Sequence, residues 1–137
     1  MFILSRQERQ VVLFLSVLAL AGMGIDYLAW GLEILCLNPE EYSPVLTAVV
    51  MPGNKGADAY RAAVLEKFNM SLGNGLGKLK DRVFRIGHLG AFNDLMLIGT
   101  LGGIEMGFAL TGVPYTPGGV GEAMAYLAGS EDRFSKY

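Results

Sequence analysis

The chain has 137 residues, enough for one domain with one modest core. Hydrophobic residues make up 52% of it, which excludes a disordered or strongly solvating chain, and a net charge of −2 gives no electrostatic reason to expect nucleic acid. One cysteine, Cys36, excludes an intrachain disulfide, and with His88 as the one histidine there is no basis for a zinc site.

Residues 1–28 differ from the rest. Arg6, Glu8 and Arg9 precede an uncharged stretch from Gln10 to Ile25, which predicts an apolar N-terminal helix. Three readings of it stay open. A membrane anchor through Val11 to Ile25 leads narrowly, with Tyr27 and Trp30 at an interface and the arginines inside. A helix buried against the domain and a cleaved signal ending near Ala19-Leu20-Ala21 are the other two. Location follows the reading: membrane-anchored if the segment spans, cytoplasmic otherwise.

From Gly31 onward the pattern is short strands, helices and turns. Residues 32–37 are apolar and short enough for a strand, with Cys36 read as a small buried residue. The β-branched run 45–51 lies between Pro44 and Pro52 and reads as a second strand. A helix is expected from Ala57 or Asp58, because Tyr60, Val64 and Phe68 recur at helical spacing, and Asn69 and Gly73 mark its end.

The glycine-rich stretch 72–80 reads as a flexible loop. A phosphate-binding P-loop needs Ser or Thr after Gly-Lys, where Leu79 follows Lys78, and the dinucleotide fingerprint fails because Lys78 takes its third glycine position. A third strand is expected over 82–87 and a turn over 87–90. Asn93 or Asp94 is placed to cap a helix over 95–110. Four glycines in it, Gly99, Gly102, Gly103 and Gly107, each cost about 1 kcal/mol unless close packing compensates. A last helix over 120–128 leads to a polar tail, 130–137. No stretch beyond residue 32 reads as long and apolar enough to span a membrane. The order of elements predicts an α+β fold: a small, mostly antiparallel sheet with helices packed on one face.

On the residues alone, Arg85 reads as a strand-end arginine paired with Asp81, Asp94 or solvent. His88 reads as structural, closing its turn by hydrogen bonds to backbone. Glu105 is either a buried carboxylate with a raised pKa or, with more weight, a group facing solvent or an arginine.

Several blocks then stand together: AWGLEILC from Ala29, YSPVLTAV from Tyr42, FNMSLGNGLG from Phe68, FRIGHLG from Phe84, NDLM from Asn93, GTLGGIEMG from Gly99 and GVPYTPGGV from Gly112. In order and spacing they resemble the class V PLP-dependent aminotransferases, above all the serine–glyoxylate and alanine–glyoxylate enzymes, over residues 29–129. The resemblance implies the C-terminal small domain of a fold-type I PLP enzyme. That domain normally packs on a large PLP-binding domain in a homodimer that moves an amino group from serine or alanine to glyoxylate. It implies that Arg85, in the F-R-I-G motif, clamps the α-carboxylate of an amino acid or 2-oxo acid with its planar fork of donors.

The cofactor lysine of that family lies upstream of the matching part. Lys55, Lys67, Lys78, Lys80 and Lys136 stand in loops, on a helix or in the tail, so no catalytic, cofactor-binding or metal residue is expected here. The isolated chain is therefore expected to bind no pyridoxal 5′-phosphate and to be inactive, with a non-enzymatic, membrane-anchored interaction module as the alternative. Ala91 stands where the family has an acid, Tyr115-Thr116 where it carries a basic pair, and Gly53-Asn54-Lys55 where it runs Glu-Gly-His. Residues 1–28 replace a more polar helix.

Overall fold

The computed structural model describes residues 30–36, 38–43 and 45–129. The apolar segment 1–28 with its three readings, the tail 130–137 and Lys136 lie outside the described residues.

Strand β1 (Leu46–Val50) leads to helix α1 (Ala57–Phe68). A two-residue strand β2 (Gly73–Asn74) and strand β3 (Val83–Gly87) follow, then helices α2 (Asp94–Thr111) and α3 (Gly119–Gly129). The sheet has the order β1-β3-β2 and both pairings are antiparallel. Val49 is aligned with Phe84, and Thr47 with Ile86. These four buried residues form the inner face, on which Tyr60 of α1 and Phe108 of α2 meet the Phe84 ring. The expected α+β architecture is present, with helices on one face.

Two expectations about the sheet need correction. Residues 32–37 do not form a full strand: the described part is a bridge, Ile34 to Val49, with Leu35 N donating to Ala48 O and Val50 N to Glu33 O. The glycine-rich stretch is not simply a flexible loop. It supplies β2 and then a 3-10 turn, Gly77–Leu79, so the third strand of the sheet comes from it. A side chain at Gly75 would fall on the Leu79 carbonyl, so glycine is what lets this stretch fold tightly on itself.

The helix boundaries follow the expected signals. Asn93 caps α2, its Oδ1 accepting from Met96 N at 2.9 Å, and Gly112 ends the helix in the left-handed region at φ 68°. Asn69 ends α1 in the same way at φ 52°. The start of α1 is held from a distance. Asp81, at φ 59°, accepts from Ala57 N through its carbonyl and from Asp58 N through Oδ1 at 2.8 Å. Asp81 therefore caps α1 rather than pairing with Arg85.

Helix α2 is long and apolar enough to cross a membrane by length and composition, contrary to the expectation for residues beyond 32. It is the core helix of the domain: Leu97, Leu101, Ile104 and Phe108 are buried along one side. Its glycines divide into two pairs. A side chain at Gly103 would strike Met70, and one at Gly107 would stand 2.5 Å from Val64 Cγ2 and 2.9 Å from Tyr60 Cε2, so these two let α1 and its continuation approach closely. Among the described residues, Gly99 and Gly102 have nothing within 4 Å. Gly102→Ala is thus expected to raise the unfolding free energy by about 0.5–1 kcal/mol, the helix-propensity difference, in urea denaturation. A fall in stability would mean that something packs on that face.

Candidate functional site

Arg85 sits in the middle of β3, the central strand, aligned with Ala48 on one side and Gly73 on the other. Strand alternation puts it on the face opposite Phe84 and Ile86, away from the helices. It is half-buried, and among the described residues its buried Nε has no hydrogen-bond partner. The ion pair expected with Asp81 or Asp94 is not formed: among the described residues the one ion pair is Arg61 with Asp58, at 3.2 Å. A buried N–H without a partner costs about 1–3 kcal/mol.

A hollow of about 370 Å³ opens beside this face, where residues 34–36 run along the outer edge of β1. Its lining is mostly apolar and includes Ile34, Leu35, Tyr42, Leu46 and Ala48, with Ser43 and Glu41 at hand. Ala48 lines the hollow and is the strand neighbour of Arg85, which does not itself line it. Cys36 also lines the hollow and is half-exposed rather than buried, its Sγ 3.5 Å from Asn38 O.

His88 is buried at 3% exposure. Its backbone N donates to Val45 O, and its ring Nε2 lies 3.0 Å from Thr47 Oγ1. It ties the end of β3 to β1 through a backbone and a side-chain contact.

Glu105 departs from both expectations. It faces neither solvent alone nor an arginine, and its pKa is not raised. Its carboxylate accepts from Trp30 Nε1 at 2.9 Å, Gly118 N at 2.8 Å and Val120 N at 3.1 Å. Burial works against the charged form, but these donors outweigh it and hold the carboxyl below its ordinary value. The sequence carries no short-range sign of this, because the indole partner is 75 residues away.

Among the described residues no group of three acids, histidines or cysteines could hold a metal ion. Lys55, Lys67, Lys78 and Lys80 are all exposed, and none lines the hollow. The described residues therefore do not fit a Schiff-base site for pyridoxal phosphate, which needs a lysine in a recess that also grips the phosphate.

No protein-family model matches the chain. Over 102 residues it is 41% identical to the serine–glyoxylate aminotransferase of Methylorubrum extorquens, and over 101 residues 44% identical to that of Arabidopsis thaliana. Each match covers 72% of this chain and 25% of the relative. The chain carries the C-terminal small domain of the serine–glyoxylate and alanine–glyoxylate aminotransferase family. It spans about a quarter of the length of these curated relatives. The fold agrees with that of ureidoglycine–glyoxylate aminotransferase from Bacillus subtilis, at a TM-score of 0.71 and 20% identity, over 89% of this chain and 30% of that one.

Proposed function

We propose that this chain supplies the substrate-carboxylate contact of a glyoxylate-type transaminase, with Arg85 as the clamp, and that it does not transaminate alone. The observation that carries this reading is the buried, unpartnered Nε of Arg85 on the helix-free face of the sheet. A guanidinium keeps its charge at any working pH and offers two parallel donors to a carboxylate, which suits an amino acid or a 2-oxo acid. The lysine, the phosphate cradle and the proton-transfer groups would come from a PLP-binding domain, in a longer form of the protein or a companion chain.

Two measurements test this. Glyoxylate binding to the full chain, followed by isothermal calorimetry, is expected to weaken by about 30-fold or more in Arg85→Gln, the loss of a bidentate charged pair. Equal binding by the variant would remove Arg85 from the site. Pyridoxal phosphate added to the purified chain is expected to give no stoichiometric borohydride-reducible adduct; such an adduct would revive a self-sufficient enzyme.

A second reading, a non-enzymatic interaction module, draws on the apolar side chains that α2 leaves exposed, Leu95 at 83%, Met106 at 53% and Leu110 at 51%. Flotation of the full chain with liposomes, together with failure to bind glyoxylate, would favour it.

A further inference from the structure

Gly73 and Arg85 face each other across the β2–β3 pairing. A methyl group at position 73 would stand 3.0 Å from Arg85 Cβ and 3.1 Å from its Nε. The arginine stem therefore lies over the bare glycine, so closely that a side chain there would push it aside by a few tenths of an ångström.

The backbone of β2 has little freedom to make room. Gly73 and Asn74 are both paired with β3, and the residue before them is anchored, since Leu72 O accepts from Arg61 Nε at 2.8 Å. Arg61 is itself fixed by Asp58 at 3.2 Å. Any side chain at 73 would have to displace the arginine rather than the strand.

We propose that Gly73 is the positioning residue for Arg85: it lets the stem lie across β2, and so presents Nε–H and a terminal N–H as a side-on fork to a carboxylate. This rests on the carboxylate role argued above, and it adds which edge of the guanidinium binds and what holds that edge in place. A guanidinium can grip a carboxylate through its two terminal nitrogens or through Nε and one of them. The buried, unpartnered Nε favours the second mode, because that donor is the one lacking an acceptor.

The test is nuclear magnetic resonance of the full ¹⁵N-labelled chain, titrated with sodium acetate at constant ionic strength against a chloride control. The Arg85 Nε–H signal is assigned by its loss in Arg85→Lys. It is expected to shift saturably with acetate in the wild-type chain, and the affinity to fall by about tenfold in Gly73→Ala, as for one lost charge-assisted hydrogen bond. Asn74→Ala, in the same short strand and exposed, is expected to bind as wild type.

Absence of any acetate shift in the wild type removes the carboxylate role and this inference with it. A shift that Gly73→Ala leaves unchanged removes only the positioning role of Gly73. Equal losses in Gly73→Ala and Asn74→Ala would mean that weakening β2 is enough, and would also overturn it. Should Gly73→Ala fail to fold, the nuclear Overhauser contact from Gly73 Hα to the Arg85 Nε–H in the acetate-bound wild type decides. Its persistence supports the proposal, and its loss on binding overturns it.

Discussion

Phe108→Ala is expected to lower the unfolding free energy by about 3–5 kcal/mol, the range for emptying a fully buried phenylalanine site. Phe108 is 0% exposed and stands at the junction of the core. Its ring meets Trp30 edge-on at 5.3 Å, stacks with Tyr60 at 5.1 Å, and touches Tyr115 at 5.4 Å and Phe84 at 6.1 Å. These partners come from the chain before β1, from α1, from the loop after α2 and from β3, so no single element can collapse to fill the void. Tyr60 is held in addition by its hydroxyl, which donates to Ile104 O at 3.0 Å, and burial pushes its pKa upward. Domains of this size are stable by roughly 5–15 kcal/mol, so the variant should be marginal at room temperature. Urea denaturation should show a lowered midpoint with little change in slope. A loss below about 1 kcal/mol would mean that the cluster is looser than its geometry implies.

The second large effect belongs to Glu105, and its size depends on pH. The carboxylate gathers three donors, the Trp30 indole and the backbone N–H groups of Gly118 and Val120. It thereby fastens the start of α3 to α2 and to the segment entering β1. Glu105→Gln puts an amide N–H₂ among donors that need an acceptor. It is expected to cost about 1–2 kcal/mol at pH 7, allowing for water that reaches the half-buried group. The folded-state pKa is depressed, so the unfolded chain binds the proton more readily. The contribution of Glu105 is then fully present above the ordinary glutamate value of about 4.3 and is lost as pH falls through the lower folded value. Wild type should lose stability on acidification below about pH 4.3 along a limb that is shallower in Glu105→Gln. Parallel acid limbs in thermal melts of the two proteins would show that the clasp does not carry this charge.

Local chemistry made most of the element order legible. Helical recurrence of Tyr60, Val64 and Phe68 marks α1, Asn93 and Gly112 bracket α2, and the flanked β-branched run marks β1. Each signal spans only a few residues, and each survives in the fold because no tertiary contact competes with it. The motif around Arg85 was legible too, through its resemblance to a known family, though its surroundings were not. A strand of two residues such as β2 has no period to detect, and it exists because β3 offers it a partner.

By itself, then, the sequence determined the α+β class, the bounds of the helices and the presence of Arg85 in a strand, since periodicity and capping act through neighbours along the chain. The tertiary structure alone decided the β1-β3-β2 order, the clasp of Glu105 on Trp30, and which glycines of α2 serve close packing. It also decided that Gly73 meets Arg85 and that Asp81 does not pair with it. These depend on groups far apart in the chain being brought within a few ångströms, and burial of a shared core sets those distances where no local pattern can.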